Sequence, residues 1–345
     1  MNSAPFSLTF LLNGLQQWYM LLKLFKANYF YNFILFPLVG VLLLLGSFIS
    51  GEAFPANACV NTTPICQFIY QSGISNTGAI VLNFFFVLII CLLLLHINAK
   101  FDFVKERTFL PVYLFLFIVY ALPELHVIRP IFISAIFILL SIRSIFLSFE
   151  KRAAITNAFD AGFLIGVAGI FYLSANLLII LIPFSIFILR NKIEWREVVL
   201  PFFGLLIPWI LLFGYYFIWQ DVSQLFELIG NALTNLHKSI SGRPLVQIYF
   251  AFLLLITILA SIFILTQYGE KNISTRRYFK ILSLFFDASL LLIFIPSVSY
   301  EIIVILAIPL TFLITNYLIF MRRRFWAELF FIGLVLFSIV LQIFR

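Results

Sequence analysis

Apolar runs of about 20 residues recur along the whole chain, and this is the length an α-helix needs to cross a bilayer. Hydrophobic residues make up 63% of the 345 residues, whereas charged residues make up only 10%. A water-soluble globule needs more polar side chains than this to cover its surface. Because helices satisfy their own backbone hydrogen bonds in lipid, the sequence predicts an all-α polytopic transmembrane bundle, a single membrane domain over residues 1–345.

The apolar runs predict about eleven spans joined by short polar connections. Their approximate ranges are 31–50, 79–98, 108–122, 128–149, 159–173, 175–190, 198–219, 246–267, 281–295, 300–320 and 325–344. Residues 1–27 mix apolar stretches with Asn, Gln and Lys, which is typical of an interfacial helix. The segment 220–245 contains a second one, predicted to be external, because apolar side chains recur every three or four positions from 221 to 238, at Val222, Leu225, Phe226, Ile229, Ala232, Leu233 and Leu236.

The placement of Lys and Arg predicts the orientation of the bundle. Seventeen lie in one set of alternate connections: Lys23, Lys26, Lys100, Lys105, Arg107, Lys151, Arg152, Arg190, Lys192, Arg196, Lys271, Arg276, Arg277, Lys280, Arg322, Arg323 and Arg324. The other set holds four, namely Arg129, Lys238, Arg243 and Arg345, and Arg143 falls inside a span. Positive side chains collect on the cytoplasmic side. We therefore predict a cytoplasmic N-terminus and an external C-terminus, so that the net charge of +8 reflects orientation and not a nucleic-acid partner.

Residues 156–190 predict a tight hairpin of two apolar helices with a polar turn near Ser174–Asn176. A re-entrant hairpin that does not cross the bilayer completely is the alternative. We expect Thr156 or Asn157 to cap the first helix and Asp160 to lie in its first turn. Three glycines share one face of this helix, where they allow a neighbouring helix to approach closely: Gly162, Gly166 and Gly169.

Two further features lie outside the basic connections. The loop 51–78 is predicted to be external, and its Cys59 and Cys66 form either a disulfide that closes the loop or two free thiols. Asp287 lies inside the ninth predicted span, where an unpaired carboxylate is costly. We expect Asp287 to face the bundle interior, to find a polar partner or to be protonated, in a functional role or in a structural hydrogen bond.

Established catalytic motifs are missing from the sequence. It contains no phosphate-binding loop, no His-Glu-x-x-His, no Gly-x-Ser-x-Gly and no Cys-x-x-Cys. With three histidines in the chain, a histidine-rich metal site is not expected. The sequence therefore predicts neither a metal nor a cofactor.

Three segments carry a resemblance to known families. FDAGFLIGVAGIFYLSANLLIILIPFSIFILR, the loop with EWRE and the closing TNYLIFMRRRFWAELFF resemble an uncharacterised multi-pass inner-membrane family of Gram-negative bacteria. The hairpin is also similar to one in C-type membrane glycosyltransferases, which take sugars from polyprenyl-phosphate donors. Those enzymes have many spans, an external first loop with a catalytic acid and external amphipathic helices.

The resemblance to glycosyltransferases implies roles for three residues. Glu52 takes the position of the catalytic acid, although that family usually has an Asp there, often in a pair. Glu52 would act as the external general base on an acceptor hydroxyl. Arg129 and Arg243 would hold the lipid-linked phosphate, because guanidinium groups make bidentate contacts with phosphate.

Three functional hypotheses follow. The first is an inner-membrane glycosyltransferase of envelope assembly that uses a polyprenyl-phosphate-linked sugar. The second is a non-catalytic membrane subunit that binds other membrane proteins of an envelope or export complex. The third is a transporter in which Asp287 couples transport. An outward-opening polar cavity containing Glu52 favours the enzyme, a solid bundle with an exposed apolar flank favours the subunit, and a midplane cavity reaching Asp287 favours the transporter.

Overall fold

The computed structural model describes residues 25, 30–50, 75–103, 108–150, 154–191, 193–219, 221–234, 244–266, 271–295, 298–321 and 324–343. These residues form α-helices and no strand, so the predicted all-α class is confirmed for them. The helices are α1 (Phe30–Ser50), α2 (Asn76–Phe101), α3 (Leu110–Tyr120), α4 (Pro130–Leu147), α5 (Ile155–Phe171), α6 (Leu181–Arg190), α7 (Trp195–Trp219), α8 (Val222–Thr234), α9 (Pro244–Thr266), α10 (Ile273–Leu292), α11 (Ile303–Phe320) and α12 (Arg324–Ile343). Short 3₁₀ helices lie at Pro123–Leu125, Ser148–Glu150, Leu173–Ile180 and Tyr300–Ile302.

Each predicted span coincides with one of these helical segments. Within the described part of the chain, eight segments are long and apolar enough to cross a membrane. They are α1, α2, α4, the 3₁₀ helix at 173–180 with α6, α7, α9, the 3₁₀ turn at 300–302 with α11, and α12. Helices α3 and α5 are shorter apolar helices. Helix α10 has the length, but its four charged side chains, Arg276, Arg277, Lys280 and Asp287, lower its hydropathy.

Two helices form the centre of the bundle. All 11 residues of α3 are buried, and α11 is buried from Ile303 to Leu318. Helix α11 packs against α3, α4, α9, α10 and α12. Because α3 rises only about 16 Å, it is too short to span the hydrocarbon by itself. Other helices cover it on every side, so α3 and α11 together act as a packed core.

The glycine ridge of α5 lies directly against α7. A Cβ added to Gly166 would be 2.6 Å from the carbonyl oxygen of Leu205, and one added to Gly162 would collide with the backbone of Pro201. Gly204 of α7 approaches α5 in the same way, since its Cβ would lie 2.5 Å from a carbonyl oxygen of that helix. The close packing predicted for the ridge is therefore confirmed, and its partner is α7.

The start of α5 differs from the prediction. Neither Thr156 nor Asn157 caps the helix, because the N-cap position falls on Ala154. Asp160 consequently lies beyond the first turn and is exposed. Asn157 instead donates from Nδ2 to the carbonyl oxygen of Ser144 at 2.9 Å and so joins α5 to α4. Glu197, at the start of α7, supplies the missing cap, because its Oε1 accepts from the backbone N–H of Ala154.

The turn of the hairpin is longer than predicted. In place of a short polar turn, residues 173–180 form a 3₁₀ helix that continues into α6. The Asn176 amide lies where a side chain on Gly169 would be, so the glycine makes room for the returning chain. Its Oδ1 accepts a hydrogen bond from Trp209 Nε1 of α7 at 3.3 Å. A tertiary polar contact therefore shapes this turn, which the helical periodicity of the sequence does not show.

The predicted amphipathic helix is present as α8. Leu225 and Leu228 are buried against Tyr216 and Leu212 of α7, whereas Phe226 is 64% exposed. The sequence pattern placed Phe226 on the buried face and left Leu228 out of it. Packing against the end of α7 therefore rotates the covered face. Residues 1–24 and 26–27 of the predicted interfacial helix, residues 51–74 of the predicted external loop, and residues 220 and 235–243 lie outside the described part of the chain.

Candidate functional site

The helix termini meet at two ends of the bundle. At one end, which we call the basic end, the last turns of α4, α6 and α11 meet the first turns of α5, α7 and α10. This end carries Arg190, Arg276, Arg277 and Lys280. At the opposite end, the starts of α4 and α11 lie together, and the end of α12 meets the end of α3. The positive-inside rule predicts that the basic end is cytoplasmic.

An ion pair joins distant segments at the opposite end. Arg129, the N-cap residue of α4, pairs with Glu301 in the 3₁₀ turn before α11. Its Nε also donates to the carbonyl oxygen of Glu124 at 2.9 Å. Burial lowers the pKa of Arg129, but the charge and hydrogen bond of Glu301, together with the charges of Tyr300 and Glu124, raise it by more, so the pKa lies above its ordinary value. The guanidinium therefore stays charged and holds α4 to α11.

Two tyrosines complete the cluster around this ion pair. Tyr172 is the C-cap residue of α5, and burial together with the negative charge of Glu301 raises its pKa above the ordinary value. Its phenol is therefore protonated at neutral pH. The Tyr300 ring lies 6.0 Å from the guanidinium carbon of Arg129, within the range of a cation–π contact. We call Arg129, Glu301, Tyr172 and Tyr300 the outer cluster.

A buried serine–histidine pair lies at the same end. His126 Nε2 lies 2.9 Å from the carbonyl oxygen of Tyr120, which can only accept, so Nε2 carries the proton. Nδ1 of the neutral ring then accepts from the Ser47 hydroxyl at 2.6 Å. Asn83 and Gln342 donate to carbonyl oxygens of the same turn, at 2.7 and 2.8 Å. These side chains from α1, α2 and α12 provide hydrogen-bond partners for the His126 ring and the backbone carbonyl groups of a buried turn. The serine–histidine pair therefore has a structural role.

Glu197 organises the basic end and is completely buried. Its Oε1 accepts from the backbone N–H of Ala154 at 2.7 Å and from the guanidinium of Arg190. Its Oε2 accepts from the backbone N–H of Glu194 at 3.2 Å, as in a capping box. A carboxylate is favourable at a helix start, where unpaired N–H groups and the dipole are positive. One side chain thus caps both α5 and α7 and holds the end of α6.

Lys271 lies at the basic end, just before α10. Its Nζ donates to Oδ1 of Asn316 on α11 and lies 4.2 Å from the centre of the Phe279 ring and 5.5 Å from that of Phe320. Burial lowers the pKa of Lys271 to about 8. The amine is therefore mostly charged at pH 7 and is held between rings, where a cation–π contact offsets part of the lost hydration. Asn316 in a long apolar run is the one hint of this contact in the sequence.

Of the residues predicted for an enzymatic site, the structure describes Arg129. It is bound to Glu301 and to a backbone carbonyl, which the sequence analysis did not anticipate. Glu52, Arg243, Cys59 and Cys66 lie outside the described residues. The predicted disulfide and the predicted approach of Glu52 to the two arginines therefore stay predictions. Among the described residues, no group of three His, Cys, Asp or Glu side chains could hold a metal ion.

Asp287 does not face the bundle interior, which was one of the three expectations for it. It is exposed on the outer surface of α10. In the part of the chain that the structure describes, no hydrogen bond or ion pair involves its carboxylate. The reason is the orientation of α10, which directs Phe285, Phe286 and Ser289 inward. Helical periodicity places Asp287 on one face of α10, but only the neighbouring helices decide which face is covered.

Comparison with known proteins places the chain in a family without assigning an activity. A family model described as a family of unknown function, DUF6427, matches residues 59–345. No curated protein and no solved structure matches the chain. The matched part contains the glycine ridge, the outer cluster, Glu197 and Asp287.

Proposed function

Because this chain belongs to DUF6427, a family of unknown function, we propose its role from its own side chains: it is a non-catalytic subunit of a larger membrane complex. In this proposal the chain resides in the bacterial inner membrane and binds another membrane protein of an envelope or export complex. The observation that carries the proposal is the solid centre of the bundle formed by α3 and α11, combined with the carboxylate of Asp287 on the outer surface of α10.

The centre of the bundle is filled by side chains. Helices α3 and α11 are buried along nearly their whole length. Toward the basic end, the Phe103 ring packs against Phe312 and Phe279, with ring centres 4.9 and 5.5 Å apart. Such packing suits a rigid scaffold, because close-packed interiors hold one arrangement. It gives no support to transport through the middle of the bundle.

Five of the charged side chains near the helix ends have structural partners. Arg129 and Glu301 join α4 to α11, while Glu197 and Arg190 join three helices at the basic end. Arg277 donates to the carbonyl oxygen of Leu189, the last acceptor of α6 before Arg190. The guanidinium groups of Arg129, Arg190 and Arg277, which could bind a phosphate, thus hold helices together. This use favours a scaffold over an enzyme.

The glycosyltransferase is kept as a second candidate because of one feature of the outer cluster. The side chains of Arg129 and Glu301 are 11% and 15% exposed, so a lipid-linked phosphate could compete with Glu301 for the guanidinium. In that alternative, Glu52 acts as general base and Arg243 supplies a second contact to phosphate. Asp287 on the outer surface does not support the transporter hypothesis.

A double replacement at the outer cluster separates these two functions. Arg129→Leu alone is expected to destabilise the protein by about 3 kcal/mol, because it leaves the Glu301 carboxylate unpaired. Arg129→Leu combined with Glu301→Leu is expected to recover most of this loss, because apolar side chains replace both charges. Thermal unfolding in detergent measures both effects.

The same variants are then scored for complex formation in native membranes. A folded double variant that assembles normally and keeps the cellular activity of the protein supports the subunit. A folded double variant that assembles normally but loses this activity supports the enzyme, since the guanidinium of Arg129 would then be needed to bind substrate.

The direct test of the subunit is co-purification of the full chain from native membranes under mild detergent. We expect a complex of constant stoichiometry after affinity capture and size-exclusion chromatography. A protein that emerges alone, folded and monodisperse, under several mild detergents overturns the proposal.

A further inference from the structure

The outward face of α10 carries one acid in apolar surroundings. Asp287 is exposed, and so is Leu291 on the same face one turn later, at 66%. Phe294, just beyond the helix, is 79% exposed. Asp287 lies five residues before the last residue of α10, about 7.5 Å along the helix axis. It lies seven residues after Lys280, about 10 Å from that basic side chain along the axis. In the span that the sequence predicts for residues 281–295, these distances place the carboxylate at hydrocarbon depth.

The neighbouring surface is apolar as well. Helix α6 packs beside α10, and its Phe184 and Phe187 are exposed. We call the exposed Asp287, Leu291 and Phe294 of the α10 segment the Asp287 face. An ionised carboxylate on such a surface is costly in lipid, and Asp is too short to reach the headgroups as Lys and Arg do. The Asp287 face is therefore suited to be covered by a group that pairs with the carboxylate.

We propose that the Asp287 face binds one transmembrane helix of a different membrane protein, which places a Lys or Arg side chain opposite Asp287. This inference rests on the proposed subunit function and names the contact through which the subunit binds. Leu291 and Phe294 supply the packing that associates helices in lipid. The pairing of the two charges within the bilayer supplies the specificity, because neither helix then exposes a charge to hydrocarbon.

Charge complementarity argues against two other occupants. Two copies of this chain in one membrane share the same orientation, so a twofold axis along the membrane normal places Asp287 opposite Asp287. Like charges at that contact repel each other in a low dielectric. A lipid phosphate is also negative and lies at headgroup depth. A basic side chain on a foreign helix satisfies the carboxylate at its own depth.

The first experiment identifies what contacts the face. A photoreactive p-benzoylphenylalanine replaces Leu291 in the full-length protein, and native membranes are irradiated before purification. We expect one discrete adduct with another membrane protein, which mass spectrometry identifies and whose transmembrane segment contains Lys or Arg. The matched control carries the same photoreactive residue at Ile210, an exposed position of α7, and is expected to lack this adduct.

The second experiment tests Asp287 itself. Asp287→Leu and Asp287→Asn are expected to reduce the adduct and the co-purified partner by about tenfold or more, since the partner's basic group is left unpaired. Asp160→Asn, the same change at an exposed acid of α5, is expected to leave both unchanged. Thermal unfolding of the isolated protein shows whether the variants fold. If Asp287→Leu does not fold, the test is carried out with Asp287→Asn. Asp287→Lys together with Lys or Arg→Asp in the identified partner is expected to restore binding.

The outcomes separate this inference from the proposed function. If the wild-type protein purifies alone, the proposed function fails and the inference fails with it. If a stoichiometric complex forms but both Asp287 variants retain it fully, the inference fails and the proposed function stands. An adduct of this chain with itself, or with a partner whose contacting segment has no basic side chain, also overturns the inference.

Discussion

Gly162→Ala is expected to destabilise the protein by about 3 kcal/mol or more, the upper part of the range for overpacking. The added methyl group would overlap the backbone of Pro201 in α7, which cannot move aside as a flexible side chain can. Helices α5 and α7 would have to separate, and the contacts along the whole ridge would be lost. Thermal unfolding in detergent and the yield of monodisperse protein measure the effect.

Gly214→Ala is the matched control, because Gly214 also lies inside α7. Nothing lies within 4 Å of a Cβ at this position. The change is expected to be neutral or to stabilise the protein by up to about 1 kcal/mol, since alanine restricts the unfolded chain more than glycine. Equal stability of the Gly162 and Gly214 variants would contradict the packing of α5 against α7.

Glu197→Leu is expected to cost about 3–5 kcal/mol, the range for removing one partner of a buried ion pair. The change removes the carboxylate that binds the guanidinium of Arg190 and leaves two backbone N–H groups, of Ala154 and Glu194, without their acceptor. Glu197→Gln is expected to cost less, because the amide oxygen still accepts a hydrogen bond. Thermal unfolding of the purified variants measures which of the two is less stable.

Glu194→Gln serves as the control for Glu197, since the Glu194 side chain is exposed three residues earlier in the same connection. It is expected to change stability by less than about 0.5 kcal/mol, as surface substitutions usually do. Glu197→Leu combined with Arg190→Leu should recover part of the loss but not the two lost caps. A melting temperature of Glu197→Leu equal to that of the wild-type protein would contradict the role of Glu197 in holding α5, α6 and α7 together.

If both predictions hold, the stable part of the molecule is the block formed by α4, α5, α6 and α7 at the basic end. Helix α10 is attached to this block through the Arg277 contact with α6 and to the core through α11. Its outward face is thereby held in a fixed orientation. A fixed face suits the proposed subunit, because a preorganised surface loses less conformational entropy when it binds.

The sequence by itself determined the class of fold and the places of the helices. Apolar length and charge patterning depend on neighbouring positions along the chain, so the apolar helices, the glycine ridge and the amphipathic α8 could be predicted from them. The resemblance to glycosyltransferases drew attention to Arg129 as a phosphate-binding residue, and the sequence contained no indication that Glu301, 172 positions away, would occupy it.

Only the tertiary structure decided which groups meet and which faces are covered. The cap of α5 comes from Glu197, 43 residues further along, because backbone N–H groups at a helix start donate to any acceptor that packing brings near. Asp287 faces outward because α6 and α11 cover the other side of α10. A helix in lipid can turn an apolar flank to protein or to hydrocarbon at little difference in hydrophobic free energy, so periodicity alone does not choose between them.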